Sequence, residues 1–312
     1  MIMTVLGEIS PENLGKTLVH EHIAVDFSSA ENQIPISKEL REDIVNTMKP
    51  YLEEIKNLGF RTLFECTPRF VGRDVKTLKI LSEAVGINIV TNTGFYAFGN
   101  YNHIPLTMRN FSPEEFAKIW IEEWKNGIEG TEIKPGFIKT SVNHGRLGDL
   151  DKKVIIASCM THLETGLTIA CHTGEKECAL GVADIVEKEG VDPSAFIIVH
   201  ADQIEDFDAH LELFNRGFIL EYDGIGWKPI EYHVELLNKA IKAGFINQIL
   251  ISHDAGWYTI NEKGAKDKIR AYTDISLMLF PELYRKGYDE NLEKILLIEN
   301  PKIIFDIRIR KR

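Results

Sequence analysis

In the stretch "TLVHEHIAV" two histidines, His20 and His22, alternate with Glu21 inside an apolar run. Side chains at i and i+2 of an extended strand share a face. Both imidazoles can therefore reach one cation, while Glu21 points the other way. Neutral imidazole is the commonest side-chain ligand for metals. Four further residues close apolar runs in the same manner: Lys139 in "GFIKTS", His172 in "IACHTG", His200 in "IIVHAD" and Asp254 in "ILISHDAG". A single strand-end histidine is ordinarily a hydrogen-bonded residue without a chemical role. Four of them beside a carboxylate point to divalent-cation chemistry. The other histidines, His103, His144, His162, His210, His233 and His253, receive no role, and His253 reads as a structural neighbour of Asp254. Lys139 has two readings. An ammonium among metal ligands is repelled, but a buried lysine can lose its proton, and the neutral amine can add CO2 to give a carbamate, a bridging carboxylate on a long arm. Alternatively, Lys139 pairs with a strand-end carboxylate such as Glu65.

These residues need a scaffold that brings many strand ends together. A glycine followed by an apolar residue closes a helical segment at Gly59, Gly86, Gly127, Gly166, Gly190, Gly217, Gly244 and Gly287. Glycine adopts the left-handed C′ conformation at little cost, and the next apolar residue packs back on the helix. Continuous apolar runs follow, among them "TLFECT", "INIVTNTGF", "FIIVHAD" and "FILEYDG". Such runs suit strands buried on both faces of a parallel sheet. Between them lie helices: "SPEEFAKIWIEEWKNG" predicts Ser112 as N-cap with Glu115 at N3, and the helix through "KELREDIVNTMKPYLEEIKNLG" is expected to kink or split at Pro50. Eight β-then-α units predict an α/β fold, a (β/α)8 TIM barrel, as one domain over 1–312. A doubly wound sheet is the alternative, but no GxGxxG turn follows the first strand. Residues 1–16 read as a hairpin and 291–312 as a terminal helix. In such a barrel the site forms at the C-terminal ends of the strands.

The chain has 312 residues, 44% hydrophobic, with a formal net charge of −11. A large core is feasible. The acidic balance argues against nucleic acid or anionic lipid as partner, leaving a small-molecule substrate. No apolar run approaches a membrane span, and "MIMTVLGEIS" lacks the form of a signal peptide. The four cysteines form no CxxC pair, and a cytoplasmic location is expected. The oligomeric state is left open, with a homodimer among the options.

The ordered set of strand-end residues resembles the amidohydrolase superfamily and, within it, the phosphotriesterase family and its lactonase group. The stretches "GKTLVHEH", "FECTPRFVGRD", "NTGFY", "GFIKTS", "HTG", "ISHDAGW" and "ENPKIIF" carry the resemblance over almost the whole chain. It implies two divalent cations, zinc first, with manganese, cobalt or iron as alternatives. One is held by His20, His22 and Asp254, the other by His172 and His200, bridged by carboxylated Lys139 and a hydroxide. Asp254 is the implied catalytic residue, orienting the hydroxide and carrying its proton to the leaving group. The implied activity is lactone opening, with phosphotriester hydrolysis and a catalytically silent metal-bound scaffold as alternatives. Two departures stand out. Gln203 follows Asp202, with no histidine after strand seven, unlike organophosphate specialists; and Tyr222-Asp223 stand where lactonases tend to carry an arginine. Substrate contacts are expected from Tyr96, Trp227, Lys228, Trp257 and Arg270, and the charged segment 256–272 reads as a lid or a solvated loop.

Overall fold

The computed structural model describes residues 1–312. Strands β1 (Lys16–Val25), β2 (Phe60–Glu65), β3 (Asn88–Val90, resuming at Asn92–Thr93), β4 (Phe137–Ser141), β5 (Ile169–His172), β6 (Phe196–Val199), β7 (Ile219–Tyr222) and β8 (Ile249–Ile251) follow one another around a (β/α)8 barrel. All neighbouring pairs are parallel. The helices between them are α1 (Lys38–Asn57), α2 (Val75–Val85), α3 (Pro113–Asn126), α4 (Asp149–Thr165), α5 (Lys176–Lys188), α6 (Phe207–Asn215), α7 (Ile230–Lys242) and α8 (Phe280–Arg285). No helix is long and apolar enough to cross a membrane.

The regular ladder has two arcs. One runs from β8 back to the second half of β3; the other joins the first half of β3 to β2, β1 and a short β9 (Gly256–Thr259). Between β8 and β1 individual bonds replace a ladder. His20 N–H donates to Ser252 Oγ at 2.9 Å, Asp254 N–H to the His20 carbonyl at 3.1 Å and His22 N–H to the Ala255 carbonyl at 2.8 Å.

β1 carries a bulge. Leu18 aligns with Leu63, yet Glu21 aligns with Glu65, so β1 spends one residue more than β2 over this stretch. Leu18 and Ile23 join the core under the helices, whereas Val19 joins the barrel interior with Phe64, Phe137 and Ile197. An extra residue re-aims the side chains beyond it. Here Val19 and His20 both face inward, and His22 follows at the i+2 spacing.

The bottom of the barrel is closed by Ile2 and Leu14 from the N-terminal segment and by Ile304 and Phe305. Phe305 packs against Phe64 with the rings tilted and their centroids 4.1 Å apart. The terminal helix consequently ends at Ile304 rather than continuing to 312; Phe305 turns into the barrel, and Arg310 Nη2 binds Thr168 Oγ1 at 2.8 Å. Helix α1 is also not split at Pro50 but continues unbroken. Pro50 and Asn46, whose carbonyl loses its N–H partner, are both exposed, and the solvent-facing side of a helix tolerates that loss best. Ser112 caps α3 through a capping box with Glu115. The segment after β8 is stitched down: β9 pairs with β1, Tyr258 Oη donates to Asp43 at 2.7 Å, and Lys266 reaches the same carboxylate at 2.6 Å.

Candidate metal centre

β1 and β4, the ends of β5 and β6 and the turn after β8 bring His20, His22, Lys139, His172, His200 and Asp254 around one inner chamber of about 130 Å³. Each imidazole is held by its Nδ1. His20 Nδ1 lies 2.6 Å from Glu221 and 3.0 Å from Asp223. His200 Nδ1 lies 2.7 Å from the other oxygen of Asp223, His22 Nδ1 2.8 Å from Thr67 Oγ1 and His172 Nδ1 3.0 Å from Tyr96 Oη. A carboxylate or hydroxyl on Nδ1 fixes the ring and leaves Nε2 as the lone-pair donor.

Two of the Nε2 atoms meet the carboxylate of Asp254. Those of His22 and His20 lie 3.1 and 3.7 Å from Asp254 Oδ1. The His172 and His200 rings are 4.4 Å apart. His172 Nε2 and Asp254 Oδ1 are buried without any hydrogen-bond partner. Buried polar atoms are nearly always satisfied, so this orphaned pair, in a chamber lined by nitrogen and oxygen donors, fits divalent cations. His20, His22 and Asp254 form one group with ligand-atom spacing suited to a single ion. A second such group, His20, His200 and Asp223, is better read as the tether: Asp223 reaches both rings through Nδ1, on the side away from the chamber.

The electrostatics favour neutral His20 and His172, whereas His200, which burial alone would lower, is raised by Asp223. Burial pushes His20 down to about 3, aided by Lys139, and burial carries His172 well below its ordinary value. Burial alone would raise Asp254, but His22, His20 and His200 outweigh it and hold the carboxyl at about 2. Lys139 is 2% exposed, and its Nζ has His20 Nε2 at 3.3 Å as its hydrogen-bonding neighbour. No carboxylate pairs with it. Glu65 instead accepts from the Ile23 and Thr67 amides, each at 3.2 Å. Two of these residues, His200 (φ 60°) and Asp254 (φ 49°), sit in the left-handed region, a strain that concentrates at functional sites.

The chamber opens through Phe27, His200, Gln203, Asp254 and Trp257 into an outer hollow of about 780 Å³. Tyr96 lines the chamber; Trp227 and Lys228 line the hollow, and Trp257 lines both. Lys228 Nζ donates to the Asp202 carbonyl at 3.0 Å. Arg270 lines neither space. Its guanidinium binds the carbonyls of Ile225, His253 and Asp254 at 3.2 to 3.4 Å and lies 4.1 Å beneath the Trp227 ring. The indole N–H groups of Trp227 and Trp257 also donate to the Asp254 carbonyl, at 3.1 and 2.8 Å. No histidine follows β7, and Asp202 pairs with His233 Nε2 of α7 at 3.1 Å.

The model of the phosphotriesterase family matches residues 1–305. The chain belongs to the phosphotriesterase family. It is similar to the phosphotriesterase homology protein of Escherichia coli, 27% identical over 93% of this chain and 98% of that protein. It is 29% identical to an aryldialkylphosphatase of Saccharolobus solfataricus, over 95% and 96% of the two chains, and 28% identical to an N-acetyltaurine hydrolase of Xenopus tropicalis, over 96% of each. A crystal structure of the E. coli protein, with phosphate in its active site, superposes with a TM-score of 0.81 over 94% of this chain and 99% of that one. This member of the phosphotriesterase family is thus a metal-dependent hydrolase, and the family depends on two metal ions.

Glu221 and Thr67 receive no role from the sequence, and Asp223 is named there only as a departure after strand seven, not as a tether of His20 and His200. A signal for two of them exists. Glu221 and Asp223 stand at i and i+2 at the end of β7, the spacing that exposed His20 and His22. Burial and the neighbouring Asp223 push the Glu221 carboxyl well up. Asp223, which burial alone would raise, is held well down by His200 and His20.

Proposed function

We propose that this hydrolase opens lactones, with His20, His22 and Asp254 holding one divalent cation and His172 and His200 the other, bridged by Lys139 as its carbamate. Zinc suits this nitrogen and oxygen set; manganese, cobalt and iron are alternatives. When bound, such a pair polarises a substrate oxygen and supplies a hydroxide near neutral pH.

The observation that carries the reading is Tyr96. With His172 Nε2 given to a cation, Nδ1 carries the proton and donates to the Tyr96 oxygen 3.0 Å away, which leaves the Tyr96 O–H free inside the narrow chamber. Burial, followed by Asp254, pushes this phenol up, so it stays a donor. A hydroxyl there suits a carbonyl oxygen gaining charge as the carbon becomes tetrahedral. A flat ester enters a chamber of about 130 Å³ more easily than phosphorus with three ester arms. Asp254, held ionised, accepts the proton and returns it to the departing alkoxide. Trp257 and Phe27 stack 5.4 Å apart at the passage, an apolar wall of the kind small-molecule sites use. The four cysteines, all buried and unbridged, suit a reducing cytoplasm.

The test is a panel of acyl-homoserine, aliphatic and sugar lactones, with N-acyl amides and phosphotriesters, on metal-replete protein. The expected result is a kcat/KM for some lactone at least ~10-fold above every phosphotriester, or ~1.4 kcal/mol. Phosphotriesters ahead of every lactone would replace this reading with the organophosphate one, and amides ahead of both would make the enzyme an amidase.

Lys228 refines the expectation. It has no carboxylate partner, and its ammonium lies 4.2 Å from the Tyr232 ring at the hollow's edge. Lys228→Ala is expected to raise KM for an anionic lactone by about 2–5-fold, the range of a partly exposed charge pair, with a neutral lactone unchanged. Equal effects on both would remove Lys228 from recognition.

A further inference from the structure

Glu21, between the two histidines, faces the layer between sheet and helices, where side chains are ordinarily apolar. It is fully buried. Such a carboxylate is costly unless its oxygens are saturated with donors. Here they are. Oε1 accepts from Ser252 Oγ at 2.9 Å, the His253 amide at 3.1 Å and His253 Nδ1 at 2.7 Å. Oε2 accepts from the Ala255 amide at 2.9 Å. His253 Nε2 accepts from the Ile275 amide at 3.0 Å, so the proton resides on Nδ1 and is donated to Glu21.

These donors come from the residues flanking Asp254, which is itself held at φ 49°. One carboxylate grips both sides of a left-handed turn that would otherwise relax. Ser252 Oγ also accepts from the His20 amide, so the same cluster joins the two strands that carry His20, His22 and Asp254. Nothing from Glu21 reaches His172 or His200, whose tethers are Tyr96 and Asp223.

We infer that Glu21 is a positioning residue that sets Asp254, and through it only one of the two cation sites. The inference rests on Asp254 being a ligand and proton carrier, as proposed above. Glu21→Gln keeps the shape but turns an N–H toward at least one former donor. Cation affinities are measured by chelator competition with Zn2+, and site geometry by the visible spectrum of the Co2+-loaded protein. In Glu21→Gln one cation is expected to weaken by about 10–100-fold, as for other residues that orient ligands, while the second keeps its affinity. The Co2+ spectrum changes for one site only, and kcat falls with KM within about twofold. Ser252→Ala, a milder change, is expected to act in the same direction and serves if Glu21→Gln does not fold. Unchanged affinities, or equal weakening of both cations, in whichever variant folds would overturn the inference. Native protein that binds no divalent cation would overturn the metal reading itself, which separates the two failures.

Discussion

Chelation of the native protein is expected to abolish turnover and lower the melting temperature together, with Zn2+, Co2+ or Mn2+ restoring both. The chamber holds four imidazoles aimed inward by their Nδ1 tethers, and orphaned atoms on His172 and Asp254. Without cations these lone pairs face one another. A ligand present at about 1,000 times its Kd stabilises the folded state by about 4 kcal/mol. At about 2–4 °C per kcal/mol for chains slightly shorter than this one, the shift is on the order of 10 °C. Elemental analysis of active protein should return close to two divalent ions per chain. Active protein with only traces of metal would end this account.

The second large effect is expected from Lys139→Ala. The side chain is buried, with a histidine nitrogen rather than a carboxylate as its neighbour. An ammonium there would be repelled by any cation bound nearby. A carbamate reverses the sign of the charge and supplies two oxygens. Its loss is expected to lower kcat/KM by at least about 100-fold, the upper end for changes in residues that merely orient ligands. Short carboxylic acids should restore part of it. Intact-mass analysis under CO2 and a high-resolution map should show the added group. A bare ammonium beside two fully occupied metals would contradict the assignment.

Much of this site is legible in the sequence because each ligand-type residue interrupts or closes an apolar run, and the barrel turns neighbouring strands toward one mouth. What stayed hidden depends on pairing across elements. The bulge in β1 exists only relative to β2, and no local pattern announces it. Glu21 was assigned a direction but no partners, since its donors lie over 230 residues away. Arg270 carries a charge suited to a substrate, but only the fold reveals that carbonyls and Trp227 occupy it. Pro50 breaks helices in general, but here lies on the face where the missing bond is harmless.

The carbonyl of Asp254 receives both indole N–H groups and the Arg270 guanidinium. For laboratory evolution this merges two tasks usually kept apart. Trp227 and Trp257 are natural targets for a library aimed at new substrates, yet each also holds the main chain of Asp254, the residue proposed to carry the proton. Variation there would be filtered for turnover as well as fit, so fewer replacements would survive than the size of the hollow suggests. Lys228 and Phe27, which have no bond to that carbonyl, offer a route to altered selectivity that leaves the chemistry in place.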